Sequence, residues 1–238
     1  MKDKVSAEQM VYDYICSALY DRKLVPGSAL VERVICEALH VGRTPVRAAF
    51  GRLAAEGYVE LVPNRGAFII TGTKEILQDY YRVRTDLEIL ALQRSINRMD
   101  EEDFRCLNEI VEGEAEAFLN RDFKAYLDCV GKFYGHIIAK AESPVLLELY
   151  SHLYERQRVL LVLYDYFYLE EELDSREAHL RMIRLLREKD LKGMIQELED
   201  HMAYVMDRME SITFRTANVS RALSMESKKI TAFYPKNQ

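Results

Sequence analysis

Five arginines carry the first chemical signal in this 238-residue chain: Arg33, Arg43, Arg47, Arg52 and Arg65. A guanidinium is a planar fork of donors. It grips guanine O6 and N7 through two parallel hydrogen bonds, or clamps a phosphate. Three of the five fall in the run Arg43-Thr44-Pro45-Val46-Arg47-Ala48-Ala49-Phe50-Gly51-Arg52-Leu53. Val46, Phe50 and Leu53 recur there at helical spacing, so one side of a helix is apolar. Arg47, Ala48, Gly51 and Arg52 take the other side, where small residues between cations allow close approach to another surface. Thr44 is placed to cap this helix, with Pro45 at the first helical position. Two short apolar runs, 59–62 and 67–70, flank Pro63-Asn64-Arg65-Gly66 and predict a hairpin with an Arg-Gly tip. A helix of this kind followed by a basic-tipped hairpin predicts a winged helix-turn-helix that meets duplex DNA.

The elements that must hold these groups are also legible. Ser6 opens a first helix, with Gln9 as its capping-box partner and Val11, Ile15, Ala18 and Leu19 on its apolar side. It should end near Lys23, before the turn at Pro26-Gly27. A second helix over 31–39 buries Val34, Ile35 and Ala38. Residues 1–72 thus predict a complete winged domain. From Lys74 glycine becomes rare and helical periodicity runs to about Met209. Six helices are predicted: 74–98, 101–119, 122–141, 144–168, 171–187 and 190–209. With short links they form an antiparallel bundle over residues 73–211. The aromatic run Leu163-Tyr164-Asp165-Tyr166-Phe167-Tyr168 is expected in its core or at a subunit contact, and 212–238 reads as a C-terminal tail. The expected fold is mostly α, a winged helix-turn-helix followed by an all-helical bundle.

Charge and composition narrow the function. The net charge is −6, yet residues 1–72 balance at +1 and the remainder at −7. The acidic excess therefore lies outside the basic part, and local cations govern phosphate contact. No apolar run approaches the roughly 20 residues that span a bilayer, and the N-terminus lacks a secretory core. Cys16, Cys36, Cys106 and Cys129 show no paired zinc spacing and read as free thiols in a reducing cytosol. No Gly-rich phosphate loop, Ser-His-Asp spacing or Cys–His clustering is visible, so no catalytic residue is expected.

Taken in order, several short motifs become specific. They are Leu24-Val25-Pro26-Gly27, Glu32-Arg33, residues 41–47, Leu53-Ala54-Ala55-Glu56-Gly57 and Asn64-Arg65-Gly66-Ala67-Phe68. Together they resemble the GntR family of bacterial transcription regulators over nearly all of residues 8–70. The chain departs from the family pattern at Val31, Gly42 and Ala48, where Ser, Ser and Glu are usual. By position, the resemblance implies DNA contacts from Arg33, Arg43, Thr44, Arg47, Arg65 and Gly66. Arg52 pairs with Glu56 or faces water. Residues 74–210 resemble the FCD effector domain of the FadR branch. The matching residues are Tyr81-Arg82-Val83-Arg84, Leu87-Glu88, Phe133, Ser143-Pro144-Val145-Leu146, His179 through Ile183, Asp190 and His201.

That second resemblance implies a divalent ion held by one Asp and three His. Here the Asp position is Val130 and one His position is Tyr134, so His179 and His201 are the only matching metal ligands. Two imidazoles without a carboxylate make a weak divalent site. Asp128 and His136 lie about 200° around the helix and should face elsewhere. Three readings stay open: a metal at a degenerate site, a metal-free pocket in which Arg84, Tyr134, His179 and His201 bind an organic effector, or satisfied core histidines. A small organic acid would suit Arg84 and a protonatable His. The expected whole is a cytoplasmic homodimer on a double-stranded DNA operator, controlled by a small-molecule effector, with no membrane contact. The alternatives are a ligand-binding interaction protein with a DNA-incompetent winged domain, and a His-based enzyme.

Overall fold

A computed structural model describes residues 5–21, 23–163 and 174–208. The chain divides into two units between Gly72 and Thr73.

The first unit contains α1 (Ala7–Tyr20), β1 (Ala29–Leu30), α2 (Glu32–Leu39), α3 (Arg43–Ala55), β2 (Val59–Val62) and β3 (Gly66–Ile69). Ser6 caps α1 by accepting from the Gln9 N–H. The capping box expected of Gln9 does not form, because its side chain donates to Asp13 and accepts from Arg52 instead. The three strands form one antiparallel sheet ordered β1-β3-β2, with Ala29 facing Phe68 and Val59 facing Ile69. β1, two residues long, has too little pattern to be read from sequence. Val11, Ile15, Leu19, Ile35, Val46, Leu53 and Ile69 fill the core between α1, α2, α3 and the sheet. On α2 the buried residues are Ile35 and Leu39, while Val34 and Ala38 are only half-buried. At the wing tip Asn64 (φ 60°) and Gly66 (φ 107°) both take left-handed backbone, which reverses the chain in so few residues.

The second unit contains α4 (Lys74–Ser95), α5 (Glu101–Leu119), α6 (Phe123–Ala139), α7 (Pro144–Val162), α8 (Asp174–Arg187) and α9 (Leu191–Arg208). These six spans agree with the sequence periodicity to within a few residues. The exception is the join of the fourth and fifth helices, where the aromatic run after Leu163 lies outside the described residues, as does the tail 212–238. Caps explain most boundaries. Thr73, Asp122 and Ser143 accept from the third helical N–H, and Asp100 and Asp103 form a reciprocal capping box on α5. Asp100→Ala removes it and should cost about 1 kcal/mol in a urea titration.

Short links make α5 and α6, α6 and α7, and α8 and α9 antiparallel neighbours. α4 packs on α6, α7 and α9, α5 on α6 and α8, α6 on α7, and α8 on α9. Leu77, Leu92, Leu107, Val111, Phe133, Ile138, Met182 and Leu198 form the shared interior. Gly131 sets the α6–α7 approach, since a Cβ there would lie 2.5 Å from the Tyr154 ring. That ring is pinned, because its hydroxyl donates to the Leu127 carbonyl at 2.6 Å. Gly131→Ala should therefore lower stability by about 1–3 kcal/mol, with Gly135→Ala, which meets open space, as the control.

Candidate functional site

The basic face of the first unit starts with α3. Its N-cap is Gly42, and no side chain caps it. Thr44 is thus inside the helix and Pro45 follows it, two positions further in than sequence spacing suggested. The helix start therefore leaves its first N–H groups without a capping side chain, and these groups attract phosphate. Arg43, Thr44, Arg47, Ala48 and Gly51 are exposed, while Val46, Ala49, Phe50 and Leu53 face the core. A groove of about 670 Å³ runs between α3 and the wing, and Arg47, Glu32, Leu61, Arg65 and Gly66 are among its lining residues. Arg33 lies outside that lining but is exposed on α2.

Two cations are held by acids. Arg47 donates through Nε and Nη2 to the two oxygens of Glu32, at 2.8 and 3.2 Å. Those hydrogen bonds hold the Glu32 carboxyl below its usual range. Arg33 donates to Glu37 at 3.0 Å on the same helix. Both pairs are exposed and water-screened, so either opens at little cost. Arg65 reaches back over the Phe68 ring, 5.6 Å from its centroid. Arg52 is structural instead. It donates to Glu56 and Gln9 and lies 3.8 Å above the Tyr12 ring, tying α3 to α1.

The second constellation sits inside the bundle. Arg84 on α4 is 2% exposed. Its Nη1 donates to Gln157 on α7 at 3.0 Å, and its Nε lies 3.1 Å from Glu88 Oε1. Tyr150 donates to that same Glu88 oxygen at 2.9 Å. Burial works against the guanidinium, but the facing Glu88 outweighs it and raises the Arg84 pKa. The Tyr134 ring lies 5.1 Å from the Arg84 cation. His179 on α8 places Nδ1 2.7 Å from Glu114 of α5 and Nε2 3.3 Å from the Tyr134 hydroxyl. A carboxylate only accepts, so Nδ1 of His179 donates to Glu114. His201 on α9 comes within 5.8 Å of His179, ring centroid to ring centroid. All four effector residues expected from sequence, Arg84, Tyr134, His179 and His201, are therefore neighbours. Glu88 Oε2 and Gln157 Nε2 are buried there without a hydrogen-bond partner. A buried polar atom in that state calls for water or a ligand.

These donors do not fit a tightly held divalent ion. Val130 offers no oxygen, and burial pushes the Tyr134 hydroxyl well above its usual range, which works against the phenolate a metal would need. Glu114 faces Nδ1 of His179 and orients the ring rather than completing a ligand set. Among the described residues no group of three or more His, Cys, Asp or Glu converges as a metal site. Asp128 points away as expected, toward Arg158 and Lys124.

His201 has a consequence for stability. Burial, with His179 and Arg84 nearby, pushes its pKa down to about 3 from 6.5. Between those values the unfolded chain binds a proton that the folded chain does not. Stability therefore falls as pH drops below about 6.5. Urea midpoints recorded from pH 7 to pH 5 should decline, and His201→Gln should flatten that slope.

Sequence reading missed Glu114, Gln157 and Tyr150, and passed over Glu88 as a site residue. A usable signal existed. Glu114 shares a stripe on α5 with Phe104, Leu107, Val111 and Phe118, and Gln157 shares one on α7 with Leu146, Tyr150 and Tyr154. A polar residue on a buried stripe needs a partner.

With this geometry in place, likeness to known proteins is informative. Residues 7–69 match the family described as bacterial regulatory proteins, gntR family, and residues 79–204 match the FCD domain. The chain belongs to the GntR family of transcription regulators and carries an FCD domain, which is a regulator's architecture and not an enzyme's. It is 25% identical over 171 residues to the HTH-type transcriptional regulator McbR of Escherichia coli, covering 71% of this chain and 77% of that one. It is 26% identical over 165 residues to the Nta operon transcriptional regulator of Aminobacter aminovorans, covering 69% and 76%. A solved GntR-type regulator from Rhodococcus sp. RHA1 superposes with a TM-score of 0.68 at 21% identity, covering 89% of this chain and all of the other. At that identity the last comparison speaks for the fold alone. No helix among the described residues is long and apolar enough to cross a membrane.

Proposed function

We propose that the protein is a cytoplasmic homodimer of the FadR branch, which binds an operator sequence and changes its affinity when a small molecule occupies the bundle. The observation that carries this is the groove between α3 and the wing, with Arg47, Arg65 and Gly66 on its walls and Arg33, Arg43 and Thr44 exposed in the same unit. Arg47 and Arg65 are the proposed groove readers. Arg33, Arg43, Thr44 and the start of α3 are the proposed phosphate contacts. Selection from a random duplex library, followed by anisotropy titrations, tests the reading. Recovery of a two-fold symmetric sequence supports it, and failure to enrich any sequence refutes it.

The effector we propose is uncharged and rich in hydrogen-bonding groups, rather than a small organic acid. Arg84 is already neutralised by Glu88, and His201 is neutral at pH 7. An incoming carboxylate would have to displace Glu88 from a buried pair, whereas Glu88 Oε2 and Gln157 Nε2 offer an acceptor and a donor at no such cost. The metal-free state of this site belongs to the same proposal. Elemental analysis of purified protein checks it, with less than about 0.1 metal per chain expected.

Dimerisation is assigned to exposed apolar rows on the bundle. Ile76, Val83 and Leu90 repeat at seven residues on α4 with exposures of 47%, 41% and 37%, and Val145 and Leu149 on α7 reach 67% and 56%. Val83→Glu should shift the sedimentation coefficient toward the monomer without unfolding the chain.

A further inference from the structure

Away from both sites, the α5–α6 seam brings Asp103 and Cys106, one helical turn apart on α5, against His136 of α6. Cys106 Sγ is 3.8 Å from His136 Nδ1, and His136 Nε2 is 2.8 Å from Asp103 Oδ1. The spacing of residues gave no hint of Cys–His proximity, because the packing of two helices creates it. Asp103 is 4% exposed and also receives Lys140 Nζ at 2.7 Å. Burial would raise its pKa, but hydrogen bonds from Lys140, the Asp100 backbone N–H and His136 outweigh that and hold it at about 2. Asp103 is therefore an ionised acceptor at neutral pH. It fixes the His136 proton on Nε2 and leaves the Nδ1 lone pair facing the thiol. Cys106 is half-buried and His136 is 24% exposed, so small solutes reach the seam.

We propose that Cys106 is a nucleophilic thiol, with His136 as its general base and Asp103 as the positioning acid, and that hydroperoxides oxidise it to a sulfenic acid. His136 Nδ1 takes the thiol proton while Sγ attacks the terminal oxygen of the hydroperoxide. An S–O bond forms as the O–O bond breaks. Sulfur is oxidised by two electrons, and the peroxide is reduced. The departing hydroxide or alkoxide collects the proton from His136 and leaves as water or alcohol. The triad logic is that of an activated nucleophile whose base is held by a third group. The other cysteines lack this arrangement. Burial raises the pKa of Cys129, and pushes Cys16 up to about 11. Cys36 is half-buried like Cys106, and among the described residues no hydrogen bond joins it to an imidazole, which makes it the internal control.

The test exposes full-length protein to hydrogen peroxide at pH 7, traps sulfenic acid with dimedone, and follows each cysteine peptide by mass spectrometry. Cys106 should be trapped at least ~10-fold faster than Cys36. His136→Asn, checked for an unchanged circular dichroism spectrum, should abolish that lead while the Cys36 rate stays constant. Equal rates at Cys106 and Cys36 in the unaltered protein would overturn the proposal without reliance on any variant. So would a lead that survives His136→Asn.

Discussion

Arg47→Ala is expected to weaken operator binding by about 1–3 kcal/mol per half-site, and to relax sequence preference at the base pair it reads. The fold should tolerate the change, because the side chain is exposed and its pair with Glu32 is water-screened. The loss has two sources that can be separated. One is the bidentate grip on a base edge. The other is the Glu32 carboxylate, which Arg47 now occupies and which would otherwise face phosphate across the groove. Removing both in Glu32→Ala/Arg47→Ala should recover part of the affinity lost in the single variant. If Arg47 only balances Glu32 and never touches DNA, the double variant should bind like the unaltered protein.

Arg84→Met should produce the largest change in stability, about 3–5 kcal/mol in urea denaturation. It leaves Glu88 at 2% exposure with its cation gone, retaining only the Tyr150 hydroxyl as donor. The pair as a whole is worth far less than this, since two well-packed apolar side chains in its place avoid the cost of burying charge. Arg84→Met/Glu88→Leu should therefore regain most of the stability but lose the effector response, because the hydrogen-bonding wall is gone. A single variant as stable as the unaltered chain would show that water reaches the pair.

What sequence could and could not reveal follows from the range of each interaction. Helix spans in the bundle depend on caps and periodicity, which are local, and Thr73, Asp100, Asp122 and Ser143 each cap the helix that follows them. The wing is legible because Asn64 and Gly66 mark the turn. The start of α3 differs from the sequence expectation by two positions. Thr44 is a good capping residue by type, but the glycine before Arg43 takes the cap, and this difference frees the helix end for an anion. The proposed effector residues Arg84, Tyr134, His179 and His201 rest on a family resemblance that fixes their positions. Their partners Glu114 and Gln157 come from helices 65 and 73 residues away in sequence, a separation no local pattern spans. Cys106 and His136 meet for the same reason, 30 residues apart across the α5–α6 seam.

The measurement closest to the central claim is operator affinity as a function of salt. A dimer that places Arg33, Arg43, Arg47 and Arg65 of each copy against phosphates and base edges should lose affinity linearly in log salt, with a slope of about −0.9 per phosphate neutralised. Arg43→Ala should make that slope shallower by about 1 for each contact removed. A shallow, unchanging slope, or equal affinity for the selected sequence and for unrelated duplex, would contradict the assignment of these arginines to DNA.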